Sequence, residues 1–204
     1  MGFLCLGGFL LVTYDKETLF FAINSRYSTL GDFCFKYYTH LGDGIFYLFM
    51  AIIFFLFASK YKAIIMLASY AFTSLVAQSI KYNINGQNFR PRSHFWFDSH
   101  RIHFVDGVEI MVSHSFPSGH TTSAFSIFLL FSIFVNNRAF SLLFFTMALM
   151  VGFSRMYLGQ HFFADVYGGA IIGTILTLIT YYLLDSVCKL SVKKSLQKGV
   201  FNTI

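Results

Sequence analysis

Charged side chains are scarce in this 204-residue sequence, in which only 12% of residues are Asp, Glu, Lys or Arg. Soluble domains carry about 25%. By contrast, 56% of the residues are hydrophobic, and 28 are phenylalanine. A water-soluble fold of this size cannot bury so much apolar surface, so lipid must surround much of the chain. The composition excludes an ordinary soluble protein and predicts a single integral-membrane domain over residues 1–204.

Cysteine and proline are also rare. The three cysteines, Cys5, Cys34 and Cys188, are odd in number and far apart, which excludes a disulfide framework and a Cys-type metal site. Both prolines, Pro91 and Pro117, fall in one loop. The apolar N-terminus lacks a basic segment and a small-residue cleavage site, so we expect no removable signal peptide.

Apolar runs indicate the fold class, because a helix needs about 20 such residues to cross a bilayer. Five runs qualify, some with help from flanking residues: Gly44–Ser59, Ala63–Ile80, Gly119–Val135, Ala139–Phe153 and Phe162–Leu184. A sixth, Gly2–Val12, is too short unless it is tilted or extends to about Phe20. The mixed segment Tyr14–Tyr38 indicates one or two interfacial helices. We therefore predict an all-α membrane protein, a six-transmembrane-helix bundle with interfacial helices.

The long polar loop Lys81–Ser118 is the strongest functional candidate, because loops of this length in compact proteins are usually functional or disordered. The helices that flank it place this loop and the junction Ser154–His161 on the same membrane face, whichever way the protein is oriented. We therefore expect one site at one membrane face.

Three basic residues on that face, Lys81, Arg90 and Arg155, suit a phosphate dianion, for which arginine offers a planar fork of donors. Ser118 and Gly119 stand where a helix begins, and the backbone N–H groups of such a helix end favour an anion. The three cations and the helix start together predict a phosphate-binding site.

Two histidines complete the chemistry. His161 and Asp165 are four residues apart and share a helix face, so the carboxylate can orient the imidazole and stabilise positive charge on it. His120, in the first turn of another helix, is placed to donate a proton to a leaving oxygen. We assign His161 as the nucleophile, His120 as the general acid and Asp165 as the partner of His161.

These clusters resemble the three motifs of the type-2 phosphatidic acid phosphatase and vanadium haloperoxidase superfamily. P-S-G-H stands at Pro117–His120, and S-R-x5-H-x3-D runs from Ser154 to Asp165. In the first motif, the segment between Lys81 and Arg90-Pro91 is longer than the family commonly has. The resemblance covers about residues 42–184 and leaves residues 185–204 as a basic tail.

The resemblance implies a covalent phosphohistidine on His161, no metal or other cofactor, and, for a compact membrane chain, the lipid phosphatase branch. The implied reaction is hydrolysis of a phosphate monoester or diphosphate on a lipid, with undecaprenyl diphosphate, phosphatidylglycerophosphate, phosphatidate and lipid A phosphate as candidates. A lipid phosphotransferase that uses the same histidine, and a non-catalytic lipid-binding or transport protein, remain alternatives.

The polar loop also contains acidic and histidine side chains, which are residue types that can bind a metal. No pair of them has compact ligand spacing, so loop hydrogen bonds or substrate contacts are the favoured interpretation. The residues concerned are His94, His100, His103, His114, Asp98, Asp106 and Glu109.

The net charge of +6 does not indicate nucleic acid, because many of the cations end apolar runs, where they meet lipid headgroups. Seven cations share the face opposite the loop, and five remain on the loop face once Lys81, Arg90 and Arg155 are assigned to chemistry. That bias favours a cytoplasmic tail and an extracytoplasmic site. Together with the resemblance, it implies a bacterial inner membrane with the site facing the periplasm. The expected partners are the bilayer and a phosphorylated lipid, and the sequence does not indicate an oligomeric state.

Overall fold

The computed structural model describes residues 2–83 and 89–201. Within these ranges the secondary structure is helical, apart from one isolated antiparallel bridge between Phe89 and Ser113. The helices are α1 (Gly2–Thr13), α2 (Lys16–Asn24), α3 (Thr29–Tyr38), α4 (Gly44–Ile53), α5 (Lys60–Asn83), α6 (Pro91–His94), α7 (Gly119–Val135), α8 (Arg138–Tyr157) and α9 (Phe163–Tyr182). Wider π-type turns continue two of them, and short 3-10 turns complete the set: Phe54–Ala58, Leu183–Val187, Thr39–Gly42, Ser99–Arg101, Leu190–Val192 and Lys194–Leu196. The expected all-α architecture is confirmed.

Length and composition mark three helices as able to cross a membrane alone, namely α5, α8, and α9 with its continuation to Val187. A fourth span results if Thr29–Gly42 and Gly44–Ala58, which meet at a bend of 58°, are taken together. Helix α7 is apolar but has 17 residues, which is about 25 Å of helix. The bundle is therefore apolar and helical as expected, with three or four spans identified by length instead of six.

The chain start forms separate short helices. Helix α1 ends at Thr13, and the Asp15 carboxylate begins α2 by accepting hydrogen bonds from the backbone N–H groups of Glu17 and Thr18. The continuous extension to Phe20 that would lengthen α1 therefore does not occur, because Asp15 starts a new helix. The segment Tyr14–Tyr38 forms two helices, α2 and α3, in agreement with the expectation of one or two.

Helix α7 is the centre of the bundle and packs against α5, α8 and α9. Glycine allows the helices to approach closely: a Cβ atom at Gly169 of α9 would lie 2.7 Å from the Ser118 carbonyl oxygen. Deeper in the bundle, the Ser126 hydroxyl is 2.8 Å from the Tyr47 hydroxyl and 2.7 Å from that of Thr177. This buried polar network joins α4, α7 and α9, and it satisfies hydroxyls that lipid could not.

The end of the bundle away from the polar loop is closed by the basic tail. The backbone N–H groups of Gly199, Val200 and Phe201 donate to carbonyls of Ala58, Phe55 and Leu56, at 3.0, 3.1 and 2.9 Å. These carbonyls lie at the end of α4, where a regular helix leaves carbonyl groups without intrahelical donors. The tail thus caps α4 and brings its lysines beside Lys60, at the start of α5.

Candidate active site

The polar loop and the α8–α9 junction meet at one end of the bundle and enclose a cleft of about 490 Å³. Six of the eight predicted site residues line it: Lys81, Arg90, Gly119, His120, Arg155 and His161. The other two, Ser118 and Asp165, are buried next to this lining. Residues 84–88, which include the extra length between Lys81 and Arg90, lie outside the described residues.

The His161 imidazole is buried, with 1% of its surface exposed, and its Nδ1 lies 3.4 Å from Oδ2 of Asp165. The same carboxylate oxygen accepts hydrogen bonds from the Ser115 hydroxyl at 2.5 Å and the Phe162 N–H at 2.9 Å. Asp165 is thereby fixed by three groups, and its carboxylate orients the His161 ring through Nδ1.

The electrostatic surroundings keep the His161 ring neutral. Burial lowers the pKa of this imidazole well below its usual range, and the positive charges of Arg90, Arg155 and Lys81 lower it further. A neutral imidazole has a free lone pair, which is the form that a nucleophile requires.

The turn that presents His161 follows from the end of α8. Gly159 takes a left-handed backbone with φ of +69°, a conformation that favours glycine. The N–H groups of Gln160 and His161 then both donate to the Arg155 carbonyl, at 2.9 and 3.2 Å. Arg155 and His161 are therefore held together through the backbone as well as by the cleft.

The two arginines are almost fully buried, with 5% of Arg90 and 7% of Arg155 exposed. Arg90 donates from Nε to the Ser113 carbonyl at 2.9 Å and from Nη1 to the Gln160 side chain at 3.3 Å. Arg155 donates from Nη1 to the Thr39 hydroxyl at 2.8 Å, and its Nε has no hydrogen-bond partner among the described groups.

No carboxylate oxygen of the described residues lies within 4.0 Å of the charged atoms of Lys81, Arg90 or Arg155. Buried charges without a partner are costly unless a bound ion compensates them. Two such buried arginines and the half-buried Lys81 around one cleft therefore indicate an anion-binding site.

The N-terminus of α7 adds backbone donors to the cleft. The Ser118 hydroxyl caps the helix by accepting from the Thr121 backbone N–H at 3.4 Å, and it also accepts from the Thr121 hydroxyl at 2.9 Å. The Ser118 N–H donates to the Asp165 carbonyl at 3.0 Å. The N–H groups of Gly119 and His120 follow, in positions that helical geometry leaves without an intrahelical acceptor. Lys81 stands beside them, because its Nζ would lie 3.7 Å from a Cβ atom placed on Gly119.

Three polar residues outside the motifs hold the site in place: Thr39, Gln160 and Asn24. Thr39 and Gln160 accept hydrogen bonds from Arg155 and Arg90. The buried Asn24 amide of α2 donates to the carbonyls of Tyr157 and His103, at 2.8 and 3.0 Å, and so ties the end of α8 to the polar loop. No sequence pattern marks these three residues, since each is a single polar residue whose partner lies far away along the chain.

Two histidines of the polar loop, His94 and His103, make hydrogen bonds, as expected for this loop. His94 Nε2 lies 3.1 Å from Glu17, and His103 Nε2 lies 2.8 Å from Asp32, so the loop is fastened to α2 and α3. His103 also stacks on the Tyr27 ring, with 3.8 Å between ring centroids.

Similar sequences were found among characterised proteins. The chain is 27% identical over 156 residues to the lipid A 4'-phosphatase of Porphyromonas gingivalis, an alignment that covers 68% of this chain and 64% of that protein. It is 29% identical over 113 residues to the undecaprenyl-diphosphatase BcrC of Bacillus subtilis, which covers 55% of each chain. The chain thus spans between about half and two thirds of the length of these relatives.

Solved structures share the fold. The crystal structure of Aquifex aeolicus LpxE superimposes with a TM-score of 0.71 at 27% identity, over 83% of this chain and 97% of that one. The PAP2-type phosphatidylglycerolphosphate phosphatase of Bacillus subtilis gives 0.68 at 24% identity, over 94% of both chains, and shows the same fold. The model of the PAP2 superfamily matches residues 62–187, which hold all three motifs. The chain belongs to the PAP2 superfamily.

Proposed function

We propose that this protein is a membrane lipid phosphatase that hydrolyses a phosphate monoester or diphosphate. The observation that carries the proposal is the grouping of two buried arginines, Arg90 and Arg155, with the half-buried Lys81 in one cleft with His120 and His161. None of the three cations has a carboxylate of the described residues within 4.0 Å. A lipid phosphate supplies the missing negative charge. The relatives whose names describe lipid phosphatases support the same activity.

In the proposed reaction, Nε2 of His161 attacks phosphorus, the bond from phosphorus to the ester oxygen breaks, and the leaving oxygen takes a proton from His120. The Asp165 carboxylate stabilises the positive charge that develops on the His161 ring. Water then attacks the phosphohistidine, with His120 taking its proton, and releases phosphate with free His161.

The remaining site residues hold the transferred group. Lys81, Arg90 and Arg155 neutralise the phosphoryl oxygens, and the backbone N–H of Gly119 contributes the donors of a helix N-terminus. Ser118 acts by capping that helix and by fixing the backbone of Asp165.

The membrane arrangement follows from the distribution of charge. We place residues 1–204 in one membrane domain, with a motif-bearing core of about residues 42–184, and we propose that six helices cross, the shorter ones being completed by flanking residues and tilt. The cations of the tail and of Lys60, Lys62 and Arg138 favour the cytoplasmic side of a bacterial inner membrane, with the cleft at the periplasmic side.

The experiment that tests the function measures phosphate released by the purified protein from phosphorylated lipids, in the presence of a chelator. We expect turnover without added metal and a loss on the order of 10⁴-fold or more in His161→Ala. The matched control is His100→Ala, which alters an exposed histidine of the same loop. Protein given ³²P-labelled lipid and then denatured with detergent at alkaline pH, where a phosphohistidine persists, should carry label on His161. Normal turnover in His161→Ala would contradict the mechanism.

A further inference from the structure

The phosphate cleft opens into a second, narrower groove. This groove has a volume of about 140 Å³ and lies between the start of α4, α5 and α7. It shares Gln78, Lys81, Gly119 and His120 with the cleft, so a molecule whose phosphate occupies the cleft has direct access to the groove.

One wall of the groove is a line of polar side chains on α5. Tyr70, Ser74 and Gln78 are spaced by four residues and share one face of the helix, and Lys81 continues the line. At 1.5 Å per residue, Gln78, Ser74 and Tyr70 lie about 4.5, 10 and 16 Å below Lys81 along the helix axis. The line therefore starts at the phosphate level and descends toward the middle of the membrane.

The opposite wall also carries hydroxyls, those of Thr122 and Ser123 on α7. Thr122 is buried and its hydroxyl donates to the Ser118 carbonyl at 2.9 Å. By contrast, Ser74 and Ser123 are half-buried and Gln78 is exposed. The α4 end of the groove is formed by Gly42 and Gly44, and the absence of a side chain at Gly44 admits the Tyr70 hydroxyl.

Polar side chains on a spanning helix are unfavourable when they face only lipid tails. Gln78 is near the helix end and can meet headgroups, but Ser74 lies about 10 Å below Lys81. These groups match a ligand that carries its own hydrogen-bonding atoms at the same depth below its phosphate.

We infer that this groove binds the linkage region of an acylated lipid phosphate, that is, the hydroxyl, ester or amide groups between the phosphate and the acyl chains. The inference rests on the proposed function and narrows its substrate class. A prenyl phosphate has an apolar chain directly after its phosphate and offers no acceptor to Ser74, Gln78 or Ser123. The groove therefore selects acylated lipids over prenyl lipids.

The test compares three lipid monophosphates in the same detergent micelles: phosphatidate, a diacylated glucosamine phosphate and a prenyl monophosphate. Water-soluble p-nitrophenyl phosphate reports on the phosphate cleft alone. The variants are Ser74→Ala and Ser123→Ala, which line the groove but not the phosphate cleft, and the control is Ser79→Ala, an exposed serine of α5 that does not line the groove.

We expect the wild-type protein to prefer the two acylated lipids, and each groove variant to raise KM for the preferred lipid about threefold to tenfold. Turnover of the prenyl phosphate and of p-nitrophenyl phosphate should stay within about twofold of wild type, and the control should change none of the four. The acylated lipid with the higher kcat/KM shows whether the preferred substrate has a glycerol or a sugar backbone.

Binding of the matching non-hydrolysable phosphonates, measured in parallel, tests the groove independently of turnover. A wild-type protein that hydrolyses no phosphate ester would contradict the proposed function. Groove variants that weaken acylated and prenyl phosphonates equally, or a wild-type preference for the prenyl compound, would overturn the groove assignment.

Discussion

Positively charged side chains are exposed at one end of the bundle and buried at the other, and helix α8 carries one arginine of each kind. At one end Arg138 is exposed, on the face that also carries the lysines of the tail. At the other end Arg155 is buried, with an Nε atom that has no partner among the described groups. Exposed cations at a membrane boundary are satisfied by water and lipid headgroups, whereas a buried one requires a specific anion. Burial without a partner therefore distinguishes a binding residue from an anchoring one.

The sharpest test of this comparison removes one arginine from each end of α8. Arg155→Ala should lower kcat/KM about 10²- to 10³-fold, because it removes a preorganised donor to the phosphoryl oxygens. Arg138→Ala should remain within about twofold of wild type, as surface substitutions usually do. The measurement is the rate of phosphate release by the two purified variants. Similar losses of kcat/KM in both would contradict the distinction between a phosphate-binding arginine and an anchoring one.

A smaller effect is expected from Thr39, which positions Arg155. Thr39→Val removes the hydroxyl that accepts from Nη1 at 2.8 Å, and a hydrogen bond to a charged group contributes about 1.5–3 kcal/mol. We expect kcat/KM to fall about 10-fold or more. Thr39→Ser should restore most of the activity. If Val and Ser behaved alike, the hydroxyl would have no part in holding the arginine.

At the opposite end, a substitution should affect stability but not catalysis. A Cβ atom at Gly199 would lie 2.5 Å from the Leu56 carbonyl oxygen, so Gly199→Ala must displace the tail from α4. The expected cost is about 1–3 kcal/mol in the free energy of unfolding. Thermal unfolding in detergent measures it, with Lys198→Ala as the neighbouring control. A fall in kcat/KM at unchanged stability would show that the two ends are not separate.

The smallest effect concerns pH. Burial and the nearby cations lower the pKa of His161, whereas an unfolded histidine titrates near 6.5. Below about pH 6.5 the unfolded chain binds a proton at His161 that the folded chain does not bind. The free energy of unfolding therefore falls by up to about 1.4 kcal/mol for each pH unit by which the pH is lowered. Denaturant unfolding at pH 7.5, 6.5 and 5.5 should show a shallower pH dependence in His161→Gln. Equal slopes would mean that the folded His161 titrates normally.

Much of the fold was predictable because apolar runs and helix boundaries are local. The predicted run Gly119–Val135 coincides with α7, and Ala63–Ile80 lies inside α5. The missing part is the count of spans, since length alone does not decide how a 17-residue helix or the bent pair before α5 sits in a bilayer. The return of the tail to α4 was also missed, because backbone hydrogen bonds leave no pattern in side chains.

For the site, the motif residues and their shared face were predictable, and the structure brings six of the eight to one cleft. Lys81 is among them, although its loop is longer than the family pattern. The sequence could not reveal Thr39 or Asn24, because each acts on a residue more than a hundred positions away, at Arg155 and Tyr157. Nor did it separate the capping role of Ser118 from direct contact with phosphate.

The attachment of the tail to α4 has a consequence for biogenesis. Phe55, Leu56 and Ala58 leave the ribosome before α5, whereas their hydrogen-bond donors at Gly199–Phe201 leave it after α9. During insertion, the end of α4 therefore lacks the tail while the later helices of the bundle are made. All the proposed site residues precede the tail, and the last of them is Asp165. The chain can therefore bring the proposed site together before the tail closes the other end.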